Sequence, residues 1–460
     1  LDEATMTFAS VNPAKNQLNR TFDAHTRAEA AQTVERAHFA FGRWRETGFD
    51  ERQRIILRLA ASLRNNELDI ATLITQDMGK RIVESRSEIE YCAKICEFYA
   101  KHAEQFLADQ RMPVEDADAY LRHEPLGVIL GVMPWNFPFY QVVRFATPNI
   151  MCGNTVLIKH APNVPQCAAK LAELFAEAGL PEGVYNNLFV PVDVVESIIA
   201  DGRVRGVSLT GSERAGSAVA ALAGKHLKRS VLELGGNDPF IVLEDADLDH
   251  TVEMAVRGRM VNAGQSCVAS KRFIVVEPLA AAFLSAFKER MAKLKMGDPM
   301  EPDTEVAPLS TEAAAKRLAE QVQKSCAAGA TVVLGGDRPD RPGAYFNPTI
   351  LTDVKPGMAA YDQELFGPVA CVYVVADEEA AIALANDSSY GLGGSVYTRD
   401  VERGRRVAER VETGMMYINQ PTRSQAELPF GGIKNSGYGR ELSQLGILEF
   451  VNKKLIHCKK

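Results

Sequence analysis

Short apolar runs alternate with amphipathic segments along almost the whole chain, the pattern of an α/β protein built on parallel sheets. Residues 27–41 and 51–110 predict helix; in the second stretch Ile56, Leu59, Leu63 and Ile70 keep a roughly helical spacing. Strands are predicted at 128–133, 155–158, 187–190, 207–210 and 230–234, with helices at 164–178 and 212–227 between them. In the first of these helices Leu171, Leu174, Phe175 and Ala178 share a face, and Gly179 and Pro181 stop it. This half reads as a doubly wound nucleotide-binding unit. The alternation resumes with strands at 240–243, 273–276, 331–334, 370–374 and 395–397. Helices are predicted at 248–262, 279–294, 312–328, 378–386 and 400–411. The Leu234-Gly235-Gly236 corner reads as a hinge between the two halves. Residues 116–125 and the tail beyond 445 alternate polar and apolar positions with little core, the pattern of a small extra sheet.

At 460 residues the chain has room for about three units. With 46% hydrophobic and 24% charged residues it has an ordinary globular composition, which excludes a disordered or collagen-like chain. The net charge of −7 and the scattered Lys and Arg give no support to a nucleic-acid surface. No apolar run approaches the roughly 18 residues of a membrane span. The opening LDEATMTFAS is acidic and lacks the apolar core of a signal peptide, although the chain starts at Leu and not Met. Eight dispersed cysteines fit a reducing, cytoplasmic compartment. Cys92 and Cys96 have no second Cys/His pair nearby, so no metal site is expected.

Four stretches carry candidate chemistry. There is no GxGxxG, but Gly211 to Gly216 follows a predicted strand and opens a helix, with Ser212 at the cap. Such an N-terminus favours anions, although by itself it is equally an ordinary capped turn. Cys267, in NAGQSC (262–267), has small polar neighbours that suit a nucleophilic thiolate, whereas most cysteines are simply small buried side chains. His226 and His250 lie in helical contexts and make unconvincing partners for it. Glu233 lies between Leu232 and Leu234 at a strand end. Poor solvation there would raise its pKa toward that of a general base, while strand alternation equally allows it to face solvent. Gly235 and Gly236 next to it permit close approach of a ligand. In MPWNFP (133–138), two prolines stiffen the loop around Asn136, whose amide suits an oxyanion; the same stretch also serves as a rigid turn. Together Asn136, Glu233 and Cys267 supply an oxyanion donor, a base and a nucleophile, the set that acyl-enzyme chemistry needs.

With these strings in place, the chain resembles the aldehyde dehydrogenase superfamily. PWNFP (134–138), LELGG (232–236), GQSC (264–267), ELFGP (364–368) and PFGGIKNSGYGRE (429–441) occur in the family's order and spacing over nearly the whole chain. The resemblance implies an aldehyde dehydrogenase-like fold: a variant Rossmann NAD(P)-binding domain at 1–111 and 126–235, an α/β catalytic domain at 236–435, and a small β oligomerisation arm at 112–125 and 445–460. It implies NAD or NADP as cofactor. Gly211 and Ser212 would lie at the pyrophosphate, Lys159 at the adenine ribose, Trp135 and Leu234 along the cleft, Glu364 at the nicotinamide ribose and Phe366 beside the ring. It also implies a homodimer or homotetramer.

KHAPN (159–163) and GNDPFIVLEDADL (236–248) resemble the bacterial succinate-semialdehyde dehydrogenase branch in particular. Arg144 stands where such enzymes carry an Arg that binds the substrate's distal carboxylate; a structural salt bridge is its other reading. A second Arg expected six residues before the nucleophile is Val261 here, and Arg423 and Ser424 lie where a carboxylate-binding Ser is expected. The residue two after Cys267 is Ala269, so no vicinal disulfide switch is expected. Pro162 stands where NAD-preferring relatives have an acid, with Lys159 and His160 nearby as positive charge, which permits NADP. The alternatives are a broader aliphatic or ω-carboxy aldehyde dehydrogenase, for example one acting on glutarate semialdehyde, and a cofactor-free Cys esterase.

Overall fold

The computed structural model describes residues 7–459; residues 1–6, and with them part of the acidic start, lie outside it, as does residue 460. Val128–Met133 (VILGVM) is almost continuously apolar and almost entirely buried, as befits a central parallel strand covered on both faces. It is the pivot of a six-stranded sheet. Thr155–His160 and then Tyr185–Asn187 add on one side, and Val204–Thr210 and then Arg229–Glu233 add on the other, all parallel. The strand order therefore reverses between Val128–Met133 and Val204–Thr210, and the carboxyl ends of those strands flank a natural ligand crevice. Gly437–Tyr438 closes the far edge, antiparallel to Arg229–Glu233, with Gly437 opposite Glu233.

From Glu233 the chain crosses Leu234–Asp238 into a second, seven-stranded sheet. Its parallel centre is Pro239–Val242, Arg272–Val276 and Val369–Val375. A three-stranded sheet of Gln110–Met112, Ala117–Pro125 and Val451–Lys459 stands apart, with Ala117 opposite Lys459 and Pro125 opposite Val451.

The structure differs from the sequence reading in places. The stretch 51–110 holds three helices, Phe49–Asn65, Glu67–Met78 and Ile82–Phe106. The second ends at Gly79 (φ +80°), where a Cβ would stand 2.9 Å from Pro308. The strand expected at 187–190 lies at Tyr185–Asn187. An N-terminal hairpin, Thr7–Asn12 with Gln17–Asp23, and the helix Tyr140–Cys152 were not foreseen. That helix is buried on every side and has Pro148 inside it, so it shows no amphipathic period. The arm's paired strand starts at Val451, not at 445. Ile447 and Phe450 instead belong to the core that includes Ile129 and Ile158 of the six-stranded sheet, where Phe450 meets Phe145 edge-on at 6.2 Å.

Candidate active site

Three consecutive residues before the cysteine, Asn262, Ala263 and Gly264, have positive φ of 52°, 52° and 77°. Two of them carry side chains, at a cost of about 1 kcal/mol each or more. Gly264 admits no Cβ, which would stand 2.2 Å from the Gly367 carbonyl. Hydrogen bonds hold the loop in this shape. Asn262 donates its amide to the Asn136 carbonyl (2.9 Å), Arg259 donates to the Gly264 carbonyl (2.7 Å), and Ser310 N–H donates to Gln265 Oε1 (2.8 Å). The loop ends with Cys267 half-buried at the meeting of two cavities.

One cavity, of about 640 Å³, lies at the carboxyl ends of the six-stranded sheet. Trp135, Asn136, Gly211, Ser212, Glu233, Leu234, Glu364 and Phe366 all line it. Ser212 caps Glu213–Lys225, its hydroxyl accepting from Ala215 N–H, so a helix N-terminus opens there. Trp135 and Phe366 meet edge-to-face at 5.7 Å. Glu364 accepts from Gly236 N–H at 3.2 Å and pairs with Lys271 at 3.1 Å. A Cβ on Gly235 would lie 2.6 Å from the Glu364 carboxylate, so only glycine allows this approach. Lys159 is buried at the end of Thr155–His160 with a single carbonyl at 3.4 Å as partner, and burial lowers its pKa. It has no ion pair among the described residues, which suits an anionic ribose-phosphate, although it is not one of the residues that line this cavity. His160 is not the second positive charge that the sequence suggested. It is buried against the Pro138 carbonyl, and desolvation drops its pKa to about 4, so the ring is neutral at pH 7.

The second cavity, of about 390 Å³, is lined on its inner side by Tyr140, Arg144, Cys267 and Phe430, and farther out by Arg423 and Ser424. Arg144 is 1% exposed and is not an unengaged fork. Its Nε meets the Glu441 carboxylate, its Nη1 donates to Tyr140 Oη at 2.9 Å, and its Nη2 reaches Thr210 at 3.4 Å. Its guanidinium also lies over the rings of Tyr140 and Phe430. Tyr140 passes the contact on, donating to Ser424 Oγ at 2.8 Å. Arg423 is exposed and has no ion pair among the described residues.

Glu233 faces inward: it is 2% exposed, and neither carboxyl oxygen has a hydrogen-bond partner. Burial holds its pKa well above the ordinary value, against the opposing pull of Arg144. Burial likewise lifts the Cys267 thiol to about 12, while Lys271 and Arg144 pull it down. Asn136 spends one amide N–H on the Gln265 carbonyl (3.1 Å) and keeps the other. The Cys267 N–H has no partner among the described residues.

Three further residues had no role in the sequence reading. Lys271 ties Cys267 to Glu364, donating to the Cys267 carbonyl at 2.8 Å. Tyr140 relays Arg144 to Ser424. Glu441 closes the quoted PFGGIKNSGYGRE string and neutralises Arg144. Only Glu441 and Tyr140 lay in or beside a recognisable motif; Lys271 carried no signal beyond its place four residues after Cys267.

The model of the aldehyde dehydrogenase family matches residues 1–456. The chain is similar to the succinate-semialdehyde dehydrogenase (NADP+) of Deinococcus radiodurans, with 51% identity over 98% of this chain and 94% of that protein. It is similar also to succinate-semialdehyde dehydrogenase (NADP+) 1 of Mycobacterium tuberculosis, with 47% identity over 98% and 99%. Among solved structures, succinic semialdehyde dehydrogenase from Streptococcus pyogenes in complex with NADP+ superposes with a TM-score of 0.97 at 43% identity, covering 98% of this chain and 100% of that one.

Proposed function

The chain belongs to the aldehyde dehydrogenase family, and from that premise we propose that it oxidises succinate semialdehyde to succinate with NADP+ or NAD+. The observation that carries this reading is that Cys267 lies where the cavity at the carboxyl ends of the six-stranded sheet meets a cavity lined by Arg144, Arg423 and Ser424. A cofactor-free esterase would have no use for the first cavity. The 47–51% identity to proteins named for this reaction supports the substrate assignment.

Gly211, Ser212 and Lys159 are suited to the phosphates and ribose of the dinucleotide, Glu364 to the nicotinamide ribose, and Trp135, Leu234 and Phe366 to the walls. When bound, the oxidised nicotinamide supplies the hydride acceptor. The Cys267 thiolate attacks the aldehyde carbon. The free N–H of the Asn136 amide and the Cys267 N–H hold the oxyanion of the resulting hemithioacetal. Loss of hydride leaves a thioester on Cys267. Glu233 then takes a proton from water, whose oxygen attacks the thioester and releases the acid. The distal carboxylate is received by Ser424 and Arg423; Arg144, its charge balanced by Glu441, acts through Tyr140, whose hydroxyl orients Ser424.

We also propose a cytoplasmic homodimer or homotetramer. All eight cysteines are free, no helix among the described residues is long and apolar enough to cross a membrane, and the outer strand Val451–Lys459 exposes Leu455. The test is to mix the protein with an aldehyde panel and NADP+ or NAD+ and follow reduced-cofactor absorbance. Succinate semialdehyde is expected to give the highest kcat/KM. Folded protein that reduces neither cofactor refutes dehydrogenation, and a preference for glutarate semialdehyde or butanal refutes the substrate.

A further inference from the structure

Five ionisable side chains capable of full charge at neutral pH line the substrate-side cavity: Glu84, Glu88, Arg144, Arg257 and Arg423. Three of them are neutralised locally. Glu84 pairs with Arg81 at 3.1 Å, Glu88 pairs with the buried Lys80, and Arg144 pairs with Glu441. The two left without an ion pair among the described residues, Arg257 and Arg423, are both positive and both exposed. They belong to adjoining elements. Arg257 lies in the last turn of the helix Leu248–Met260, and a Cβ on the next residue, Gly258, would stand 3.1 Å from Pro421 in the loop that carries Arg423. Glu253, one turn before Arg257, forms no ion pair with it.

We infer that Arg257 is a specificity-determining residue. With Arg423 it forms a positive rim that captures aldehydes bearing a second, anionic group before the inner residues engage them. The net charge of the chain is −7, so the overall charge does not draw in an anion, and local positive charge at the mouth of the cavity can. Unpaired charges beside a cavity with low-dielectric walls raise the local concentration of the opposite ion. This inference rests on the reading of this cavity as the substrate side of a semialdehyde dehydrogenase.

The test measures one ratio, kcat/KM for succinate semialdehyde over kcat/KM for butanal, in wild type, Arg257→Gln and Lys288→Gln. Lys288 is exposed on the helix Glu277–Ala292, outside the cavity, and controls for the loss of one positive charge. At low salt Arg257→Gln is expected to lower the ratio about fivefold, and Lys288→Gln to leave it unchanged. Raising the salt so that the Debye length falls to about 3 Å should bring the wild-type ratio toward that of Arg257→Gln. An Arg257→Gln ratio within about twofold of wild type overturns the inference, as does a wild-type ratio that ignores salt. A wild type that favours butanal instead refutes the proposed substrate, a separate outcome.

Discussion

Lys271 donates to the carbonyl oxygen of Cys267 at 2.8 Å. The same ammonium also reaches Glu364 and the carbonyls of Ser266 and Ala269. One buried cation thus fixes the Cys267 backbone relative to a carboxylate in the larger of the two cavities. Replacing Lys271 with Met leaves the Glu364 carboxylate with only the Gly236 N–H and takes the ammonium donor from three carbonyls. We expect a loss of about 3 kcal/mol in unfolding free energy, measured by denaturant titration, and a fall in kcat of at least about tenfold. A variant as stable and active as wild type would remove Lys271 from this role.

Glu233 gives a prediction in two directions. Glu233→Gln removes the proposed base and should halt turnover at the thioester, seen as a burst of reduced cofactor of about one equivalent and no steady state. The same change should stabilise the protein at pH 7. A carboxyl whose pKa is raised in the folded state binds its proton more tightly folded than unfolded. Its contribution is therefore fully present below the ordinary value of 4.5 and is lost as the pH climbs toward the folded value. A neutral amide avoids that loss, worth about 1 kcal/mol or more near neutrality. Melting temperatures of both proteins at pH 5 and pH 8 test this, and the gap should widen at the higher pH.

Cys267 should be sluggish toward alkylation in the free enzyme. With the thiol held up to about 12 by burial, the rate of iodoacetamide modification should rise about tenfold per pH unit from 7 to 10 without levelling. A plateau near pH 8 would mean that Lys271 and Arg144 outweigh desolvation.

Arg144 is better tested through its neighbours than by its own removal. Arg144→Ala leaves Glu441 buried and unpaired and should cost about 3–5 kcal/mol of stability, whatever the substrate does. Replacing both by leucine should recover much of that stability. Tyr140→Phe and Ser424→Ala cut the relay without stranding a charge. Each should raise KM for succinate semialdehyde about tenfold and KM for butanal far less. Equal changes for both aldehydes would dissociate the relay from carboxylate binding.

Pro162→Glu introduces a carboxylate three residues beyond Lys159. It should raise KM for NADP+ about tenfold and that for NAD+ little, by repelling the 2′-phosphate. Initial-rate kinetics with both cofactors check it.

The alternation of strands and amphipathic helices made the two sheets legible, because each strand or helix buries one face or both in a regular period. The helix Tyr140–Cys152 escaped for the opposite reason: it is buried all round and has no period to read. Cys267, Glu233 and Asn136 could be singled out because each sits in a local string whose glycines or prolines mark unusual backbone. Lys271 reaches Glu364, and Arg257 comes beside the loop that carries Arg423, only through folding, and no local string marks either residue. The same limit explains His160. Its proximity to Lys159 was readable, whereas the burial that neutralises it depends on the Pro138 carbonyl more than twenty positions away.

The partition between the two cavities is narrow: Cys267 and Gln141 are the residues that line both. A single molecule carrying a nicotinamide-like head and a short carboxylate tail would need only a brief linker to occupy both sides at once. Joining two weak ligands makes the second binding event intramolecular, at an effective concentration of about millimolar or higher. The Cys267 sulfur would lie beside that linker, so an electrophile placed there would meet it at close range. The architecture that lets two reactants meet at one atom therefore also makes this protein a target for bridged, covalent inhibitors, and trimming Gln141 to Ala should widen the range of linkers it accepts.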